Sequence, residues 1–174
     1  MQTSSLRKNK LHLESVLGPL SDQDDQCVRA LLDEVAEVLL QIAGHFGHDE
    51  ARCDGVGFEL ASYASGQVAI RGHVGACIDS SRCVAFCIEL RPSWYFGQRS
   101  STAAWEVITE IEADCDAHAH GMHAVHHSST RADRVFEAVV LLRVAVQDLL
   151  RHATEVPLSH WLKLATDHAF DETR

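Results

Sequence analysis

A chain of 174 residues with 46% hydrophobic and 23% charged residues has the size and composition of one globular domain, not of a disordered segment. Its formal net charge of −10 argues against nucleic acid or an anionic membrane as the partner and leaves self-association or a basic protein partner open. Twelve histidines make that charge soft: protonating all of them moves it from −10 to +2, so solubility and self-association should follow acidity near the histidine pKa.

Residues 1–20 read as a basic N-terminal arm carrying Arg7, Lys8 and Lys10, either loose or forming a short helix closed by Pro19. They lack the long apolar run of a signal peptide, and no stretch of the chain is apolar enough to span a bilayer. Six cysteines without a C-x-x-C pair exclude a zinc knuckle and a thioredoxin-type motif and fit a reducing compartment, so a cytoplasmic location is expected. The remainder, 21–174, reads as a single α+β domain.

"SDQDDQCVRALLDEVAEVLLQIAGHFG" predicts the first helix. Ser21 is placed to cap it, and Asp22, Asp24 and Asp25 suit the positive end of its dipole. Val28, Leu31, Leu32, Val35, Leu39 and Ile42 form one apolar stripe, and Gly44 supplies a stop. From residue 56 the period changes to two. Val56, Phe58 and Leu60, then Val68, Ile70, Val74, Ala76 and Ile78, then Val84, Phe86, Ile88 and Leu90, then Trp105, Val107 and Ile111 give four strands in an antiparallel meander, each with one apolar face. A three- or five-residue loop between the middle strands sets His73 opposite Glu89 on the other face. That face also holds Ala61, Ala69, Gly75, Cys77, Cys83, Ala85, Cys87 and Ile108, a composition that is more often covered than bare. The cysteines on it read as small packing residues.

"TRADRVFEAVVLLRVAVQDLLRHA" predicts a long helix, with Thr130 and Asp133 as a capping-box-like start. Twelve of its sixteen residues from Val135 to Leu150 are apolar, so it should be buried on more than one side. Pro157 opens a short C-terminal helix anchored by Trp161, Leu162 and Ala165. The fold expected is therefore α+β: a four-stranded antiparallel meander preceded by one helix and followed by a long buried helix and a short C-terminal helix.

The most chemical stretch is "DCDAHAHGMHAVHH", residues 114–127. Zinc, nickel and copper favour imidazole, and a turn at Gly121 would gather some of His118, His120, His123, His126 and His127, with Asp114 or Asp116 as an oxygen ligand. The bland alternative is a polar connection between strand and helix. Two further candidates stand beside it. His73 with Glu89 forms either an acid/base pair or an ordinary cross-strand pair. "RPSWYFGQRSSTAAW" places Trp94, Tyr95 and Phe96 in a row before Arg99, and three consecutive aromatics cannot share one core, which marks a recognition loop. HEXXH, G-x-S-x-G, the P-loop pattern and G-x-G-x-x-G after a strand are all missing from the sequence, which argues against zincin proteases, serine hydrolases, P-loop nucleotidases and dinucleotide enzymes.

The leading expectation is a small binding or interaction protein that forms a homodimer. A histidine-rich transition-metal protein or metal-dependent enzyme is the first alternative. The second is an acidic, antitoxin- or immunity-like inhibitor of a basic partner, using Glu106, Glu110, Glu112 and Asp114.

Overall fold

Residues 10–46, 52–62, 68–95, 98–99, 105–114 and 122–171 are described by the structure, a computed structural model. Among the described residues two helices precede the sheet, α1 (Lys10–Leu17) and α2 (Asp22–Phe46). α1 lies within the stretch read as an arm, yet Leu13, Val16 and Leu17 are at most 5% exposed. Their spacing of three and four gives α1 one apolar stripe, so this helix is part of the core. Gly18 ends α1 at φ +77°, its N–H donating to the Glu14 carbonyl at 2.9 Å, a left-handed stop that favours glycine.

α2 opens on Ser21, whose Oγ accepts the Asp24 N–H at 3.2 Å and donates to the Asp24 carboxylate at 2.6 Å. Gly44 does not stop it. The helix runs on to Phe46, which is 3% exposed and stacks on Phe86 with ring centroids 5.5 Å apart. Burying an aromatic ring is worth about 1.5–3 kcal/mol, more than the roughly 0.5–1 kcal/mol that a mid-helix glycine costs.

Seven strands follow: β1 (Arg52–Ser62), β2 (Val68–Cys77), β3 (Cys83–Pro92), β4 (Trp94–Tyr95), β5 (Gln98–Arg99), β6 (Trp105–Ala113) and β7 (His123–Ala132). Five of them make one antiparallel sheet in the order β1-β2-β3-β6-β7, while β4 and β5 pair as a separate hairpin. The meander therefore has five strands, one more than its alternation pattern predicts. β7 escapes that pattern because "HAVHHSSTRA" is an edge strand whose residues 127–131 are all exposed, so neither face needs an apolar row.

The two closing helices are α3 (Val135–Glu155) and α4 (Leu158–Asp171). Thr130 is not part of a cap; it lies in β7 opposite Val107. The N-cap of α3 is Arg134, with no side-chain hydrogen bond, because the strand continues to Ala132, which is 5% exposed and sits opposite Trp105.

The core lies on one side of the sheet. Val74, Phe86, Ile88, Leu90 and Ile111 are 1% exposed or less and cluster with the buried side chains of all four helices. α2 crosses β1 and β2, α3 crosses β3, β6 and β7, and the two helices pack on each other. Gly72 allows the close approach of α2: a Cβ there would stand 2.6 Å from Leu39 Cδ1.

The register of β2 on β3 differs by two residues from the expected one. His73 lies opposite Cys87, and Glu89 opposite Arg71, so His73 and Glu89 share a face but are not a directly opposed pair. The cause is the turn, which spans the five residues between Cys77 and Cys83. Ile78 N–H donates to the Arg82 carbonyl at 2.9 Å, and the Asp79 carboxylate accepts from the N–H groups of Ser81 and Arg82 at 3.0 and 2.9 Å. This Asx turn starts one residue earlier than a loop drawn from Asp79 to Cys83. Cys77 and Cys83 are thereby brought face to face and are joined by a disulfide, their Cα atoms 4.1 Å apart. They are a covalent staple and not merely small packing residues.

Candidate functional site

Of the histidine-rich stretch, Asp116, His118 and His120 lie outside the described residues. The other three are on β7, and the strand separates them. His127 lies opposite Glu110, and its Nδ1 is 3.0 Å from the Glu110 carboxylate on the sheet face away from the helices. His126 lies opposite Ile111 and His123 opposite Ala113, both core positions. Residues three apart would normally point to opposite faces. Here a bulge makes Val125 the extra residue between the pairs Ile111–His126 and Glu112–Ala124, and it turns both His123 and His126 toward the helices. A single ligand set drawn from His123, His126 and His127 is therefore not formed. Among the described residues no three His, Cys, Asp or Glu side chains are placed to hold a metal ion.

What His126 meets is a histidine from elsewhere in the chain. The His152 ring, in the last turn of α3, stands edge-on to it with centroids 4.8 Å apart. Trp161 of α4 completes a triangle, 6.4 Å from His126 and 6.0 Å from His152, and His160 stands against Trp161 at 5.3 Å. Trp161 is 5% exposed. Its Nε1 and the Nε2 of His123 are buried without a hydrogen-bond partner among the described residues. Burial first, then the charges of His152 and His127, lowers the His126 pKa below the ordinary histidine value, since both favour the neutral imidazole. The sequence reading missed His152. Its signal was its helical phase: it follows buried Leu149 by three and precedes buried Ala153 by one, which places it on the edge of the core stripe.

The opposite face of the sheet carries the acidic residues, and Glu106 and Glu110 have partners on it. The Glu106 carboxylate accepts from Arg91 Nη2 at 3.1 Å and from the Ser129 hydroxyl at 2.8 Å, with Arg131 Nε at 3.9 Å. Burial raises the Glu106 pKa, but the Ser129 and Arg91 hydrogen bonds outweigh it and hold the carboxyl below its ordinary value. Arg91 also reaches Glu89 at 3.4 Å. Glu106 is thus matched by arginines within the sheet, while Glu110 lies beside His127. Cys87, 5% exposed, sits beside Arg71 Nη2 at 3.8 Å. Its thiol pKa is raised by burial, then by Glu112, against the pull of Arg71, so it favours the protonated and less nucleophilic form.

Part of the aromatic loop lies among the described residues: Trp94 pairs with Arg99 and Tyr95 with Gln98 in the backbone of the β4–β5 hairpin. Phe96, between them, lies outside the described residues. At the other end of the fold an open groove of about 570 Å³ runs between the end of α2 and the α3–α4 connection, lined by His45, Phe46, Ile78, Ala153, Val156 and Leu158 among others.

α3 departs most from expectation. Its inward side is buried at Ala138, Val139, Leu142, Val146, Leu149 and Ala153, and Arg143 reaches Glu34 of α2 at 2.6 Å. Its outward side was expected to be covered, yet Phe136, Val140 and Val144 are 48%, 37% and 55% exposed.

Among the described residues no helix is long and apolar enough to cross a membrane. Comparisons with protein-family models, with curated proteins and with solved structures gave no significant match to this chain.

Proposed function

We propose that this chain is a small binding module that acts as a homodimer, with the outward face of α3 as the contact between copies. The observation that carries the reading is the row Phe136, Val140 and Val144, exposed at successive spacings of four. Residues four apart line one side of a helix, so these three make a continuous apolar stripe on a side that no other described element covers. Such a stripe is the usual mark of a protein contact.

The charges around it favour a second copy over a basic partner. The exposed ionic residues flanking the stripe include Asp133, Arg134, Glu137, Arg143, Asp148 and Arg151, with Glu34 of α2 against Arg143, four acids and three bases. This patch is close to electrically balanced on a chain whose net charge is −10, so two copies can meet here with less of the repulsion their acidic surfaces would otherwise impose. In a two-fold dimer the same patch meets itself, and balance is what that geometry needs. Three side chains form the centre of an interface, not the whole of one, which sets the expectation at a reversible dimer.

Sedimentation velocity tests the reading. The wild-type protein should sediment as a dimer at tens of micromolar, and Val144→Asp, which places a charge on the stripe, should sediment as a monomer with an unchanged circular-dichroism spectrum. A monomeric wild type, or a folded Val144→Asp that remains dimeric, overturns it.

A further inference from the structure

We propose that the rings of His126, His152 and Trp161 form a proton-operated latch, which holds α4 on the sheet while the imidazoles are neutral and releases it when they are protonated. The inference is independent of the dimer, because it concerns the inner end of α3 and not its outward stripe.

Three separate elements meet in this cluster. His126 comes from β7, His152 from the last turn of α3 and Trp161 from the first turns of α4, with all three centroid separations between 4.8 and 6.4 Å. α4 rests on β3, β6 and β7, and its anchors Trp161 and Ala165 are 5% and 0% exposed. Trp161 is thus the side chain through which α4 is held against both histidines.

Neutral imidazoles pack edge-on as ordinary aromatic rings. One proton is tolerable, because a single imidazolium can be shared with the face of the indole. A second is not: two like charges at ring contact repel at a site partly closed to water.

The surroundings do not offset that repulsion. On β7 itself the neighbours are His127 and His123, both histidines. From β6, Ile111 lies directly across from His126, while Glu110 and Glu112 leave from the opposite face and Glu110 is taken by His127. On α3, Asp148 and Glu155 lie one turn to either side of His152 and are exposed, and Asp148 is paired with Arg151 at 3.1 Å. α4 contributes His160, against Trp161, with Lys163 and Asp167 exposed. Among the described residues His152 and His127 act electrostatically on His126, and both push it toward the neutral form.

The sign follows. His126 titrates below the ordinary value of 6.5 in the folded protein, so the unfolded or undocked chain binds the proton more readily. Docking of α4 is complete above pH 6.5 and weakens as pH falls below it toward the folded-state value. Release would also dismantle the groove behind it, since Ala153, Val156 and Leu158 on the α3–α4 connection form one of its walls.

Hydrogen exchange read by mass spectrometry on the whole protein tests the latch, with rates corrected for intrinsic pH dependence. Between about pH 7.5 and about pH 5.5, protection of residues 158–167 should fall by about tenfold or more as α4 opens locally, while protection of β3 stays constant. His126→Phe combined with His152→Phe keeps the rings and removes the protons, so α4 should stay protected at both pH values. His152→Phe alone leaves a single proton site in the cluster, so the acid opening should be lost or strongly reduced, which keeps the test decisive if the double variant does not fold. Equal protection of wild-type α4 at both pH values overturns the proposal. So does a folded double variant, or a folded His152→Phe variant, that opens with acid as the wild type does.

Discussion

Replacing Gly72 with alanine tests how closely α2 is seated on the sheet. The new methyl would start 2.6 Å from Leu39 Cδ1, 3.0 Å from Ile88 Cγ2 and 3.1 Å from Phe58 Cδ2. Carbon atoms are comfortable at about 3.5–4.0 Å, so the three neighbours are too near by several tenths of an ångström or more. They belong to α2, β3 and β1, so no single element can yield and clear the space. Leu39 and Ile88 are at most 1% exposed and have no room to rotate away. Overpacking of this kind costs about 1–3 kcal/mol, and the stiffer unfolded chain of alanine returns about 0.4–1 kcal/mol. The net expectation is a loss of about 1–2 kcal/mol, which for a domain of this length lowers Tm by roughly 2–8 °C. Gly44→Ala is the matched control: that glycine is exposed within α2 with nothing within 4 Å of its would-be Cβ, and the change should stabilise by about 0.5–1 kcal/mol. Thermal and urea denaturation of the two variants read out both values. A Gly72→Ala protein at least as stable as the wild type would refute the close seating of α2.

Two other outcomes are expected. Cys77→Ser with Cys83→Ser opens a disulfide whose cysteines are six residues apart; closing so short a loop is worth about 2 kcal/mol by chain entropy, and the Asp79 turn should keep the hairpin paired, so urea denaturation should show the loss while β2 and β3 amides stay protected. Glu106→Gln removes a carboxylate whose pKa is held below its ordinary 4.5; the wild type should therefore lose stability as pH falls below 4.5, and the variant should lose less over that range, by about 1 kcal/mol at most for so exposed a network.

The parts of the fold legible in the sequence are those where one period dominates. The stripe from Val28 to Ile42 and the alternation through β2, β3 and β6 gave helix, strands and core face correctly, because burial on one side imposes those patterns directly. β7 was not legible, since an edge strand with exposed Ser128, Ser129, Thr130 and Arg131 has no row to alternate. Register failed for a different reason. Parity constrains a strand only to steps of two, and the choice between His73–Glu89 and His73–Cys87 rested on which residue begins the turn. That is decided by Asp79 accepting two backbone N–H groups, a local polar effect that apolar periodicity does not record. The histidines show the same limit: the bulge at Val125 and the long-range partner His152 determine where His126 points, and neither is a property of residues 114–127 alone.

α3 meets its surroundings in three directions, and their spacing along the helix has a consequence. One side enters the core, another reaches α2 through Arg143 and Glu34, and the outward stripe ends at Val144. His152 follows Val144 by eight residues, about 12 Å along the axis at 1.5 Å per residue. Sites farther apart than roughly 7–10 Å with no shared partner act additively. Val144→Asp should therefore change the assembly state and leave the acid transition of α4 where it was, and His152→Phe should do the reverse. If one substitution moves both readouts, α4 docking and self-association are coupled through the helix, and α3 transmits a change at its last turn to its outward face. If each moves only its own, the stripe and the ring cluster are separate devices on one helix, which is what rigid packing of Leu142, Val146 and Leu149 between them predicts.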